Sequence, residues 1–186
     1  MQNAGKWQKG PGKKLVDAIH AAVGDKGLID DDYGCKVLIP GVKKLLSKSQ
    51  WMGTKVLMFA FDGDTANEHL PHNYTDRHLT VYAGTHDNET IMGFYGAKKK
   101  KELKYVMNYL QVKKKKQIPK EMIRLGYGSI ANTAIFQMQD VLGLDNRARM
   151  NLPSTVGINW RWRMLPGEFT GEHCKYLRKL CELYHR

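Results

Sequence analysis

Long apolar runs are missing from this sequence. No stretch approaches the roughly 20 residues a helix needs to cross a bilayer, and no charged-then-apolar leader stands at Met1. These absences lead us to expect a cytoplasmic protein with no membrane contact. Cysteine is scarce: Cys35, Cys174 and Cys181 are an odd number without Cys-x-x-Cys spacing, which speaks against a disulfide framework or a thiolate zinc site and suits reduced thiols. The acidic residues do not fall at the alternate positions of a calcium loop, and His86 has no Cys or His partner at zinc spacing. No metal and no cofactor is expected. Internal repeats are absent too, Lys113–Gln117 is the only linker-like run, and 186 residues suit a single domain spanning 1–186.

Negative charge is in short supply: 18 Asp and Glu face 30 Lys and Arg, a net +12. The excess is local. Residues 98–120 hold ten lysines against Glu102, or +9, and the rest of the chain carries the remaining +3. One reading is a phosphate-binding patch. The reading favoured is a solvated helix hairpin, with Tyr105 and Tyr109 packing the helix rather than stacking on bases. Nothing else resembles a nucleic-acid motif, so nucleic acid is disfavoured as a partner.

What is present is a recurring pattern of short apolar runs that end in carboxylates beside a glycine. The clearest is Leu79-Thr80-Val81-Tyr82 followed by Gly84-Thr85-His86-Asp87-Asn88; the others are Gly27–Gly34 and Lys55–Asp64. Polar and titratable side chains at the C-terminal ends of apolar strands are where α/β barrels place their catalytic groups. The plain alternative is a turn in which Asp87 or Asn88 only caps the next helix. Three such ends would gather Asp31, Asp62 and Asp87 around one cleft, and paired carboxylates suit acid/base work on glycosidic bonds. Periodicity predicts strands at 27–30, 55–61, 79–83 and near 156–160. It predicts helices at 12–23 (with Leu15, Ile19, Ala22 and Val23 on one face), 40–49, 98–111, 119–140 and 170–184. The chain is nonetheless short of the ~250 residues typical of a closed eight-stranded barrel.

Seven segments in register resemble amylomaltase-type 4-alpha-glucanotransferases: Trp7–Gly12, Lys55–Asp62, Leu70-Pro71-His72-Asn73-Tyr74, Thr85-His86-Asp87-Asn88, Gln139–Leu144, Ala148–Thr155 and Asn159–Arg163. The resemblance implies the C-terminal part of a retaining (β/α)8 barrel of the alpha-amylase clan, hence an α/β fold with a partial TIM barrel. Retention uses two carboxyls about 5–5.5 Å apart, a nucleophile and an acid/base. The family's nucleophile lies in an Arg-x-Asp-His pattern that does not occur here; Asp76-Arg77-His78 has the wrong order.

By the same resemblance Asp31 takes the place of the acid/base Glu, in Asp30-Asp31-Asp32-Tyr33-Gly34 where the family reads Ala-Glu-Asp-Leu-Gly. It is one methylene shorter, and misplacement by about 1 Å can cost ~100-fold in rate. Asp87 matches the transition-state-stabilising Asp, with His86 its sugar-binding neighbour. Asp62 and Asn159 match glucose-contacting positions, and Trp160 offers an apolar face to a sugar, although packing is the more ordinary role for Trp160 and Trp162. The implied activity is transfer of alpha-1,4-glucan segments between maltooligosaccharides or starch- and glycogen-type glucans. For the isolated chain the expectation is an inactive polypeptide, with the missing part of the barrel supplied by a second chain, by self-association, or not at all. A non-catalytic glucan-binding remnant is the second reading, and a basic nucleic-acid-binding protein the third.

Overall fold

The computed structural model describes residues 9–24 and 40–186. They fall into two units, Met1–Gly53 and Thr54–Arg186. In the first, helix α1 (Lys13–Val23) begins after Gly12, whose φ of 58° suits a residue without Cβ, and packs on α2 (Pro40–Ser49). Its inward stripe is centred on Val16, with Ile19, His20 and Val23 half-buried at the i+3, i+4 and i+7 positions. Leu15 and Ala22, expected on that face, point outward. The shift follows the polar partner: His20 Nε2 accepts the Trp51 indole N–H at 2.7 Å, which turns the His20 side inward.

A three-stranded sheet, which apart from Gly53 belongs to the second unit, has the order β1 (Gly53–Val56), β2 (Leu79–Tyr82), β3 (Thr133–Ile135). Strands β2 and β3 run parallel, with Thr80 opposite Thr133 and Tyr82 opposite Ile135. The Met58 N–H donates to Ala83 O at 2.9 Å just past the ends of β1 and β2, so the loops that follow all three strands leave from one edge. Around the sheet lie α3 (Ile91–Gly96), α4 (Lys100–Tyr109), α5 (Ile118–Tyr127), the single turn α6 (Met138–Val141) and α7 (Gly171–Tyr184). Val56, Leu57, Val81, Ile91, Leu103 and Ile118 are fully enclosed among them.

Four expectations from sequence need correction. The apolar run 55–61 leaves the sheet after Val56 and closes a 3-10 turn at Leu57–Phe59, because Met58 N takes the last ladder bond and Ala60 N turns back to Leu57 O. Residues 119–140 are not one helix. The chain turns at Gly126-Tyr127-Gly128, where a Cβ on Gly126 would stand 2.6 Å from Phe136, and Thr133–Ile135 then joins the sheet. β-Branched Thr133 and Ile135 fit a pleated surface better than a helix. No strand forms near 156–160; Ser154, Gly157 and Trp160 all have positive φ, and Val156 is 93% exposed. The helix expected at 98–111 is the shorter α4. The strand expected at 27–30 lies outside the described residues.

Candidate functional site

The loop after β2 is shaped by its own side chains. Asn88 Oδ1 accepts from Thr85 N at 2.8 Å and from Thr85 Oγ1 at 3.0 Å, closing a tight turn that presents His86 and Asp87 at its tip. Gly84 allows this, since a Cβ there would meet the Met58 methyl at 3.0 Å. Asn88 and Thr85 are therefore the template of the turn, and His86 and Asp87, with side chains 43% and 38% exposed, are what it displays.

A second segment, Ala148–Trp160, locks against that tip. Asn151 N donates to His86 O at 3.1 Å, and Arg149 Nη2 to Asp87 O at 2.7 Å. The Asn151 amide donates to Asp87 Oδ1 at 2.5 Å, and His86 Nε2 lies 3.3 Å from the same oxygen. Trp160, at a φ of 63° and held by its N–H on Met150 O at 2.7 Å, places its ring 5.1 Å from that of His86 at a 36° tilt. Left-handed backbone in a bulky residue is strained, and such strain clusters at functional sites. The outcome is an accessible carboxylate fixed on one oxygen, beside an imidazole and an open indole face. That set can hydrogen-bond hydroxyls and stack on an apolar ring face.

Of the residues singled out from sequence, His86, Asp87 and Trp160 come together. Asp62 sits on the loop after β1, at the same sheet edge, where Oδ1 accepts from Asp64 N at 3.0 Å and Oδ2 from Asn67 Nδ2 at 3.0 Å. Asn159 stitches its own loop: its Oδ1 accepts from Leu152 N at 2.9 Å, and its amide donates to Thr155 O and Thr155 Oγ1 at 3.0 Å each. His72 and Asn73 shape the 65–73 loop through Thr65 O, and His72 Nδ1 lies 2.8 Å from the Tyr109 hydroxyl. Asp31 lies outside the described residues.

Sequence reasoning missed Arg149 and Asn151 as site residues, although both stand in a quoted segment. It also missed Asp140. Buried to 1% exposure, Asp140 accepts the Ile91 N–H at 2.7 Å and so anchors α3, the helix that starts three residues after Asn88. Burial raises its pKa from 3.8 to about 7, against the opposing pull of the Ile91 bond. Nothing in the linear pattern distinguishes such a carboxylate from a solvated one; only the apolar flank Met138–Leu144 hints at burial.

The family model for 4-alpha-glucanotransferases matches residues 1–168. The 4-alpha-glucanotransferase of Thermus thermophilus is 38% identical over 188 aligned residues, covering 98% of this chain and 37% of that protein. The Synechocystis enzyme of the same name is 39% identical over 183 residues, covering 98% and 36%. Among solved structures, the amylomaltase from Streptococcus agalactiae in complex with acarbose superposes with a TM-score of 0.89 at 34% identity, over 99% of this chain and 37% of that one. The chain thus spans little more than a third of the length of the relatives it matches. Its α/β fold, a partial TIM barrel, is that of the matching part of an amylomaltase. By sequence and by fold together, this chain belongs to the 4-alpha-glucanotransferase family.

Proposed function

We propose that the chain forms one wall of a glucan-binding cleft, the C-terminal part of a 4-alpha-glucanotransferase barrel, acting as a single domain over 1–186. The observation that carries this is the fixed carboxylate of Asp87, with Asn151 at 2.5 Å, His86 at 3.3 Å and the Trp160 ring 5.1 Å from His86. In a retaining transfer a nucleophile takes the glucosyl C1 while an acid protonates the leaving 4-oxygen; the resulting base then deprotonates the acceptor 4-hydroxyl, whose oxygen bonds to C1 as the C1–nucleophile bond breaks. Asp87 would stabilise the transition state through ring hydroxyls, its orientation set by Asn151. Asp31 would supply the acid/base carboxyl. Asp62 and Asn159 each keep acceptor capacity beyond their loop bonds, which suits contact with glucose units. The substrates are maltooligosaccharides or larger alpha-1,4-glucans, and the setting is cytoplasmic; no described helix is long and apolar enough to cross a membrane.

The absent Arg-x-Asp-His pattern favours a second reading for the chain by itself: it binds glucan weakly and transfers nothing. A second chain, or self-association, would complete the cleft. The test is disproportionation of maltotriose by the chain alone and mixed with the remaining portion of the Thermus relative. The chain alone should release no glucose. Activity in the mixture that disappears with Asp87→Asn supports the reading, and transfer by the chain alone that survives Asp87→Asn overturns it.

A further inference from the structure

The two segments that meet at the site share one support. On the single turn α6, two neighbouring side chains, Gln139 and Asp140, are polar and buried. The Asp140 carboxylate accepts the Ile91 N–H at 2.7 Å, three residues past the turn that Asn88 closes. The Gln139 amide donates to Ala148 O at 3.2 Å, at the head of the segment that carries Arg149, Asn151 and Trp160. Successive side chains on a helix point about 100° apart, so an adjacent pair can hold two separate segments at a fixed spacing.

Each bond adds to what the local turn already supplies. Helix α3 has its own cap, since Thr90 Oγ1 accepts the Gly93 N–H at 3.0 Å; Asp140 is a second partner from 49 positions away. The turn before Arg149 closes on itself, with Ala148 N on Asp145 O at 3.0 Å and Arg147 N on Asp145 Oδ1 at 3.0 Å. Asp140 Oδ2 is buried with no hydrogen-bond partner. A half-paired buried carboxylate costs stability, which a packing role alone does not require. The direct side-chain contacts between the segments, Asn151 with Asp87 and Trp160 with His86, lie where water reaches them. The bonds at α6 are dry, and hydrogen bonds away from water hold geometry more firmly. Such support matters, because a displacement of about 1 Å at a reacting group can cost ~100-fold in rate.

We propose that Gln139 and Asp140 are positioning residues: from α6 they set the spacing of the Thr85–Asn88 turn and the Ala148–Trp160 segment, and so hold His86, Asp87, Asn151 and Trp160 in one arrangement. What that arrangement binds rests on the glucan reading; the positioning itself does not. The test is NMR of the free chain, read at two signals: the nuclear Overhauser effect between the His86 and Trp160 rings, and the shift of the Asn151 side-chain amide. Gln139→Met removes the donor at similar length, and Asp140→Leu removes the acceptor. Each should abolish the ring effect and move the Asn151 amide toward the position of a solvated amide, with circular dichroism showing a folded chain. Asp140→Asn keeps an oxygen for the Ile91 N–H and should preserve both signals. Leu180→Ala, which opens a cavity under α7, should lower stability and leave both signals in place. If Asp140→Leu does not fold, hydrogen exchange of the unaltered chain decides the point: the Ile91, Asn151 and Trp160 amides should open together as one unit. Both signals kept in Gln139→Met or in a folded Asp140→Leu would overturn the proposal. So would their loss in Asp140→Asn or Leu180→Ala, or opening of Asn151 and Trp160 independent of Ile91. No glucan enters these readings, so a failure of the glucan reading, seen as no shift changes on adding maltoheptaose, leaves them unaffected.

Discussion

Two titratable groups in Thr54–Arg186, buried Asp140 and half-buried His69, should pull stability in opposite directions as pH changes, and removing either should expose the other. Asp140 has its pKa raised from 3.8 to about 7 by burial. His69 has its pKa lowered from 6.5 to about 4, chiefly by burial and then by the Lys55 charge, with Nδ1 accepting the Val56 N–H at 3.1 Å. Between pH 3.8 and 7 the folded chain holds the Asp140 proton that the unfolded chain releases, so stability falls as pH rises. Between pH 4 and 6.5 the unfolded chain binds the His69 proton that the folded chain refuses, so stability rises. Each contributes about 1.4 kcal/mol per pH unit, and integrated over its window roughly 4 kcal/mol for Asp140 and roughly 3 kcal/mol for His69. These two contributions nearly cancel from pH 4.5 to 6, leaving a decline between about 6.5 and 7. Asp140→Asn keeps a side-chain oxygen for Ile91 N and should leave a rising profile; His69→Asn should leave a falling one. Urea midpoints by circular dichroism at pH 4.5, 5.5, 6.5 and 7.5 read the difference. A pH profile in Asp140→Asn that parallels the unaltered chain would refute the reasoning.

Gly93→Ala should be severely destabilising, because its Cβ would fall 1.9 Å from Asn146 Oδ1, and Asn146 is itself held on Glu89; a thermal melt should show a loss of roughly 1–3 kcal/mol, partly restored by adding Asn146→Ala. Asn151→Ala leaves Asp87 Oδ1 with only the longer His86 contact and should weaken maltoheptaose binding several-fold with little change in melting temperature, read by titration calorimetry. Trp160→Ala removes a half-exposed ring and relieves a positive φ only in part, so stability should change by less than about 1 kcal/mol, while any glucan affinity is lost.

The outline of the fold was legible where local signals and tertiary demand agree. Helices α1, α2 and α7 lie where period and cap predict them, and β2 sits under the β-branched run Leu79–Tyr82. It was illegible where a residue serves a distant neighbour. Residues 119–140 read as one helix, yet the β2 edge recruits Thr133–Ile135 as a parallel strand, a pairing no local window contains. At the site, the Thr85–Asn88 cluster announced itself through its run of polar residues after a strand. Arg149 and Asn151 did not, because their role exists only through contacts across more than sixty positions to Asp87. Asn159, which the resemblance implies contacts glucose, is also bonded into its own loop, a common use of asparagine that sequence does not separate from recognition.

Titration of the 15N-labelled chain with maltoheptaose tests the central claim most directly. One wall of a cleft leaves each sugar held from one side, too few contacts to overcome an association cost of several kcal/mol. The account predicts a Kd no better than about 1 mM, near −4 kcal/mol, with shift changes centred on Gly84–Asn88, Arg149–Asn151 and Trp160. Micromolar binding would contradict an incomplete cleft, and millimolar binding whose shifts lie elsewhere would contradict the site.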